Sequence, residues 1–234
     1  MARELVTRSL DTTYRRDSAF SYTCHACRRC CHDKIIQLNP YEVARLAGNR
    51  GVSTTEFLDR YTERSGTVLR RTEGNGACVF LASEGCGVHP DRPLVCRLYP
   101  LGRRVTAEGE ESFREVEPHP QTEGKYGSHG TVEEFLSRQG AGPFITAVDR
   151  YVDVVGRMTA VLARAVQMDT ELRLDIERVT GQIASVETEM LSEWIDMDRT
   201  VSSYCARHDA PVPATLDGKV AVHIRAIDEW IESI

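Results

Sequence analysis

No stretch of the 234 residues approaches the roughly 20 consecutive apolar residues that a membrane-spanning helix requires. The best candidate, residues 158–166, is short and is interrupted by Arg164. The first residues, MARELVTRSLDTTYRR, lack the apolar core of a secretory signal, so a cytoplasmic chain without membrane association is expected. GxGxxG, P-loop, GxSxG and HExxH patterns are all missing, which leaves nucleotide hydrolysis and the familiar hydrolase chemistries without support. Internal repeats and low-complexity tracts are missing too. Positive charge is scarce where nucleic-acid binding would need it. Residues 168–234 carry six Lys/Arg against fourteen Asp/Glu, although residues 1–34 carry seven against four. The acidic surplus reads as a solvated helical surface. With 41% hydrophobic and 27% charged residues, the chain is apolar enough to fold rather than stay disordered.

Cysteine is the exception to this ordinary composition. There are 8, and all but Cys205 fall between Cys24 and Cys96. In a reducing compartment such crowding points to metal or catalysis rather than to disulfides. Cys24, Cys27, Cys30 and Cys31 form C-x2-C-x2-C-C. Two-residue spacing lets one tight turn aim two thiolates at one centre, as in zinc knuckles and iron–sulfur loops. The adjacent pair Cys30 and Cys31 poses a difficulty. In extended backbone their side chains point to opposite sides, so one of them is expected outside the ligand set unless the site is polynuclear. Cys78, Cys86 and Cys96 supply further ligands. Seven thiols exceed the four a structural zinc uses. Thiolates suit zinc and iron–sulfur clusters alike, so both remain open. A bacterial ferredoxin run has its fourth cysteine three residues after the third, and Lys34 follows that gap here. Arg28, Arg29, Arg92 and Arg97 lie beside the cysteines, where guanidinium groups would offset thiolate charge. They are the candidate cofactor-binding cations. Arg103 and Arg104 are equally well read as surface charges.

The fold class expected is α+β, mainly α. Residues 1–130 form a cysteine-rich, loop-dominated metal-binding domain with short strands and helices. Residues 131–234 form a helical region packed on it. In the first part, residues 1–23 read as a leader or edge segment, and residues 34–38 as a short strand. Asn39 caps a helix over residues 40–47 that stops at Gly48, and Ser53 with Glu56 forms a capping box for a second helix. Residues 77–82 and 94–99 look like strands, and residues 117–130 like a loop. A capping box at Thr131 and Glu134 opens the helical part. Apolar spacings of three and four then run from Phe144 to Met158. Two more helices are expected over residues 187–207 and 219–234. Tyr41, Trp194 and Cys205 read as packing residues, His208 and His223 as surface residues.

The combined motifs resemble a known family. CHACRRCC at 24–31, the segment from Ile36 to Ala47, CVFL at 78–81 and CGVHPDRPLVCRLYP at 86–100 are similar to the cysteine-cluster (YkgJ-type, CxxCxxCC) proteins. These are described as zinc- or iron-chelating, or as containing iron–sulfur clusters. The resemblance covers residues 24–130, and the helical remainder looks like a long subgroup. It implies a metal centre, either an iron–sulfur cluster of the 4Fe–4S type or zinc, held by Cys24, Cys27, Cys30, Cys31, Cys78, Cys86 and Cys96. Relatives commonly carry a further cysteine in a Cys-Pro-Gly segment, and this chain has His119-Pro120-Gln121 there. The resemblance thus makes His119 a substitute ligand. A similar cluster occurs in flagellin lysine N-methylases, which implies one alternative: an S-adenosylmethionine-dependent protein lysine methylase. Another is a zinc-binding structural or interaction module. A protein partner or substrate is allowed by each reading and named by none, and catalytic residues remain unassigned.

Overall fold

The computed structural model describes residues 12–63, 66–168 and 194–233. Its strands are β1 (Thr13–Tyr14), β2 (Ala19–Thr23), β3 (Thr62–Glu63), β4 (Val68–Leu69), β5 (Leu81–Ala82), β6 (Gly85–Cys86), β7 (Leu101–Val105), β8 (Glu111–Glu115) and β9 (Lys125–Thr131). The helices are α1 (Pro40–Arg50), α2 (Thr54–Tyr61), α3 (Leu94–Leu98), α4 (Val132–Arg138), α5 (Gly142–Met168), α6 (Met197–Arg207) and α7 (Leu216–Glu232). The architecture is α+β and mainly helical. The strands form a three-stranded antiparallel sheet, β1-β8-β7, and three two-stranded ladders, β2-β9, β3-β4 and β5-β6. No helix among the described residues is long and apolar enough to cross a membrane.

Local sequence explains most helix starts. Asn39 and Glu42 close a reciprocal capping box at α1, and Thr131 and Glu134 do the same at α4. At α2 only the forward half of the expected box forms, with Ser53 accepting from the Glu56 amide. Helix α1 passes through Gly48 and ends at Gly51, whose φ of 67° supplies the left-handed turn. Gly48 cannot serve as the stop, because that role needs the left-handed conformation and Gly51 takes it.

Several segments depart from the sequence reading. Residues 94–99 hold helix α3, since a short apolar run looks alike in strand and helix. Strand β9 occupies the second part of the expected loop at 117–130, from Lys125 onward. Its Gly-, Ser- and His-rich sequence carries no strand signal, and pairing with β2 imposes the conformation. That pairing also fixes the segment before the first cysteine, where Phe20 is fully buried. Residues 34–38 make only an isolated bridge, Gln37 to Val68. Of the helix expected from 187, residues 187–193 lie outside the described residues, as do residues 1–11 of the expected leader.

Two cores meet at α1. Tyr41 joins Phe20, Leu98, Phe135, Phe144 and Met197 in one cluster, which draws on both sides of residue 130. Val43, Leu46 and Ala47 join Ile36, Phe57 and Phe80 in the other, and Cys78 and Cys86 pack against it. Trp194 packs against both and against a smaller cluster of Val154, Ile227 and Ile231. Cys205 is buried in the first core. His223 is not a surface residue: it is fully buried in α7, and its Nδ1 lies 3.0 Å from the Tyr151 hydroxyl.

Candidate metal centre

Three chain segments carry the cysteines; backbone hydrogen bonds join the first two, and the Glu42 side chain anchors the third. The first is the loop from Cys24 to Asp33. Ala26, Arg28 and Asp33 adopt positive φ in it, so the chain reverses direction repeatedly within ten residues. This loop is zipped to the second segment. The Cys78 amide donates to the Cys31 carbonyl at 2.8 Å, and the Asp33 amide donates to the Gly76 carbonyl at 2.9 Å. Only glycine fits at 76: its φ is 62°, and a Cβ there would stand 2.1 Å from Asp33 Oδ1. The second segment folds back as the β5-β6 ladder, which pairs Leu81 with Cys86. Arg28 reaches across to donate to the Ser83 carbonyl at the tip of that ladder. The third segment is α3, which carries Cys96. Its first amide, Leu94, donates to Glu42 Oε1 at 2.7 Å.

These connections bring the thiols into one neighbourhood. Cys31 lies within electrostatic reach of Cys30, Cys96 and Cys78, and Cys96 within reach of Cys78, Cys86 and Cys30. Cys24 joins through Arg92 and Tyr22, both of which sense its charge, and Cys27 joins through Tyr99. All seven are free thiols. Among the described residues no three His, Cys, Asp or Glu side chains are close enough to enclose an ion. Ligation would therefore draw the sulfurs in from where the fold gathers them.

Cys30 and Cys31 are not in the extended backbone that would set them on opposite sides. They sit in a 3-10 turn, Arg29–Cys31, where consecutive side chains are about 120° apart rather than opposed. Their thiols are electrostatic neighbours. The neighbouring Cys31 thiol favours ionisation of Cys30, lowering its pKa to about 7 with help from Lys34, while Cys30 and burial push Cys31 up. Burial pushes Cys78 up, with Cys86 adding to it. Cys96 is open to solvent on one side and crowded by protein on the others. Desolvation and the neighbouring thiols Cys78 and Cys86 raise its pKa. Thiols that oppose one another's ionisation in this way are a donor set suited to a cation, whose charge would relieve the repulsion.

The four candidate arginines take different places. Arg92 faces the sulfurs, sensing Cys96, Cys86 and Cys24, while it donates to the His89 carbonyl and to Gln139 Oε1. Arg28 is spent on Ser83, and Arg29 is exposed on the 3-10 turn. Arg97 is 5% exposed and turns to the protein side of α3. Its guanidinium donates to the carbonyls of Arg92, Pro90 and Gln139 and lies 4.0 Å from the Phe144 ring centroid. Burial and the nearby Arg92 and Arg45 cations lower its pKa to about 10. His119 stands at the rim. Its Nδ1 accepts from the Gln121 amide at 3.1 Å, and its own amide approaches the Tyr99 hydroxyl.

Three residues that sequence reading left out shape this region. Glu42 was legible only as a helix cap, yet it also anchors α3. Tyr22 and Tyr99 wall the loop side, ring to ring at 6.0 Å and 87°. Burial pushes the Tyr22 phenol up to about 12 and raises that of Tyr99. Tyr99 lies in the RLYP stretch after Cys96, and that adjacency was the available signal.

Comparison with known proteins agrees with this geometry. The family model CxxCxxCC, described as a "putative zinc- or iron-chelating domain", matches residues 23–119. An uncharacterized protein of Methanocaldococcus jannaschii, MJ0661, is 30% identical over 91 residues, 38% of this chain and 49% of that protein. The chain thus spans about half the length of this curated relative. No solved structure matches. The matched stretch begins one residue before Cys24 and ends on His119, and it encloses all seven clustered cysteines.

Proposed function

We propose that the chain holds a thiolate-ligated metal centre, an iron–sulfur cluster of the 4Fe–4S type, among Cys24, Cys27, Cys30, Cys31, Cys78, Cys86 and Cys96. One observation supports the reading: backbone hydrogen bonds tie the Cys24–Asp33 loop to the Cys78 segment, Glu42 anchors the Cys96 helix, and Cys30, Cys31, Cys78, Cys86 and Cys96 lie within electrostatic reach of one another. A mononuclear zinc site needs four ligands, and the surplus favours a polynuclear centre. Arg92 is the cation placed to offset its negative charge. His119 at the rim is a reserve ligand. Such a centre serves redox chemistry or the modification of a protein substrate.

The test is purification without oxygen followed by analysis of iron, acid-labile sulfide and zinc. A brown protein with iron and sulfide in equal amounts is the expected result. Stoichiometric zinc in a colourless protein would replace the cluster with a structural zinc site, whose metal contributes folding energy. A metal-free protein that resists loading with either would sink the reading altogether.

A further inference from the structure

A cleft of about 460 Å³ lies where α1 and the start of α2 meet the helical half of the chain. None of the residues that line it is a cysteine. Its floor is one face of α1, kept low by the short side chains Ala44, Ala47 and Gly48. The volume falls in the range of small-molecule sites.

Two ion pairs hold two cations in place along the cleft. Arg45 donates through Nε to Asp91 Oδ1 at 2.8 Å, and its Nη2 stands 2.5 Å from the same oxygen. Asn49 Nδ2 takes the other Asp91 oxygen at 2.8 Å. In the second pair Lys219 Nζ donates to Asp198 Oδ1 at 2.7 Å, and the Thr54 amide takes Asp198 Oδ2 at 3.0 Å. Both oxygens of each aspartate are thus engaged. The cations are not used up, because a guanidinium and an ammonium carry more N–H donors than these bonds occupy. What the cleft offers a ligand is charged donors from two fixed points, and their complement is a pair of anionic acceptors.

Gly48 supplies an independent observation. It lies inside α1, where glycine is less stable than alanine. Its backbone is not left-handed, and a Cβ built on it meets nothing within 4 Å. Neither conformation nor internal packing asks for glycine there. The residue leaves open space on the floor of the cleft.

We propose that this cleft binds a small dicarboxylate, with one carboxylate on Arg45, the other on Lys219, and the carbon chain over Ala44, Ala47 and Gly48. The site does not depend on the thiolate centre. Asp91 and Asp198 are the counter-ions that orient the two cations. With their oxygens engaged, they offer little to a cationic ligand.

The experiment titrates the full-length protein calorimetrically with succinate, glutarate and adipate in turn, dicarboxylates of increasing length. Acetate and putrescine serve as controls. The expected result is one dicarboxylate bound per chain, with both controls bound far more weakly. Lys219→Gln should bind that dicarboxylate roughly tenfold more weakly, through loss of one charged contact. Gly48→Leu should keep both ion pairs and melt no lower than wild type, yet lose the ligand, because its side chain fills the floor. Wild type that binds none of the three dicarboxylates would overturn the proposal. Acetate bound as tightly as the best dicarboxylate would overturn the two-point contact, and preference for putrescine would overturn the sign of charge. Wild-type affinity in Gly48→Leu or in Lys219→Gln would place the ligand outside this cleft and overturn the site.

Discussion

Glu42 accepts a hydrogen bond from the Leu94 amide at 2.7 Å across 52 positions of sequence, and so links the start of α1 to the start of α3. The same carboxylate accepts from the Asn39 amide at 3.1 Å, closing its own helix cap. Glu42 is 3% exposed, and burial raises its pKa despite those two amides and the nearby Arg97. One side chain thus fixes where the Cys96 helix begins, two residues before that cysteine.

Replacing Glu42 by Ala orphans both amides. Each buried unpaired donor costs about 1–3 kcal/mol, so the unfolding free energy should fall by an amount in that range or somewhat above it. Metal content per chain should fall as well, because α3 loses its anchor. Urea denaturation and metal analysis check the two effects separately. Unchanged stability would mean that water replaces the carboxylate without cost.

The pair Cys30 and Cys31 sets the next expectation. Both lie in one 3-10 turn and within electrostatic reach of Cys96, so Cys30→Ser and Cys31→Ser should each lose most of the bound metal. A hydroxyl is a poor ligand for a soft centre. Metal per chain in the two variants, prepared side by side without oxygen, decides the matter. Retention of metal in one of them would show that its cysteine only packs.

Asp198 gives a prediction in pH. It joins α6 to α2 and α7, accepting from the Thr54 amide at 3.0 Å and from Lys219 Nζ at 2.7 Å. Burial alone would raise its pKa, but Lys219 and Thr54 prevail and hold it below the ordinary 3.8. A depressed carboxylate stabilises the fold fully above its unfolded pKa and loses that contribution as pH falls through the folded one. Asp198→Asn should therefore be less stable than wild type at neutral pH, with the gap closing only below about pH 3.8. Thermal melts of both proteins across pH 3–7 measure it, and a gap independent of pH would remove the charge from the explanation.

Local chemistry made much of this protein legible from its sequence. Capping pairs at Asn39–Glu42 and Thr131–Glu134, the helical period of α5, and the packing roles of Tyr41 and Cys205 all follow from interactions within a few residues or from residue type. So did the concentration of cysteine between 24 and 96, since spacing and crowding are properties of the chain alone. Tertiary structure decided what depends on distant partners. Strand β9 exists because β2 pairs with it, and α3 is a helix because Pro93 precedes it and Glu42 holds its first amide. His223 is buried because Tyr151, 72 positions away, meets its ring. The orientation of Cys30 and Cys31 turned on a single 3-10 turn, whose backbone angles no residue type dictates. Arg97 shows the same division: its charge and its place beside Cys96 were plain, but three carbonyls and the Phe144 ring, all outside its own helix, determine where the guanidinium goes.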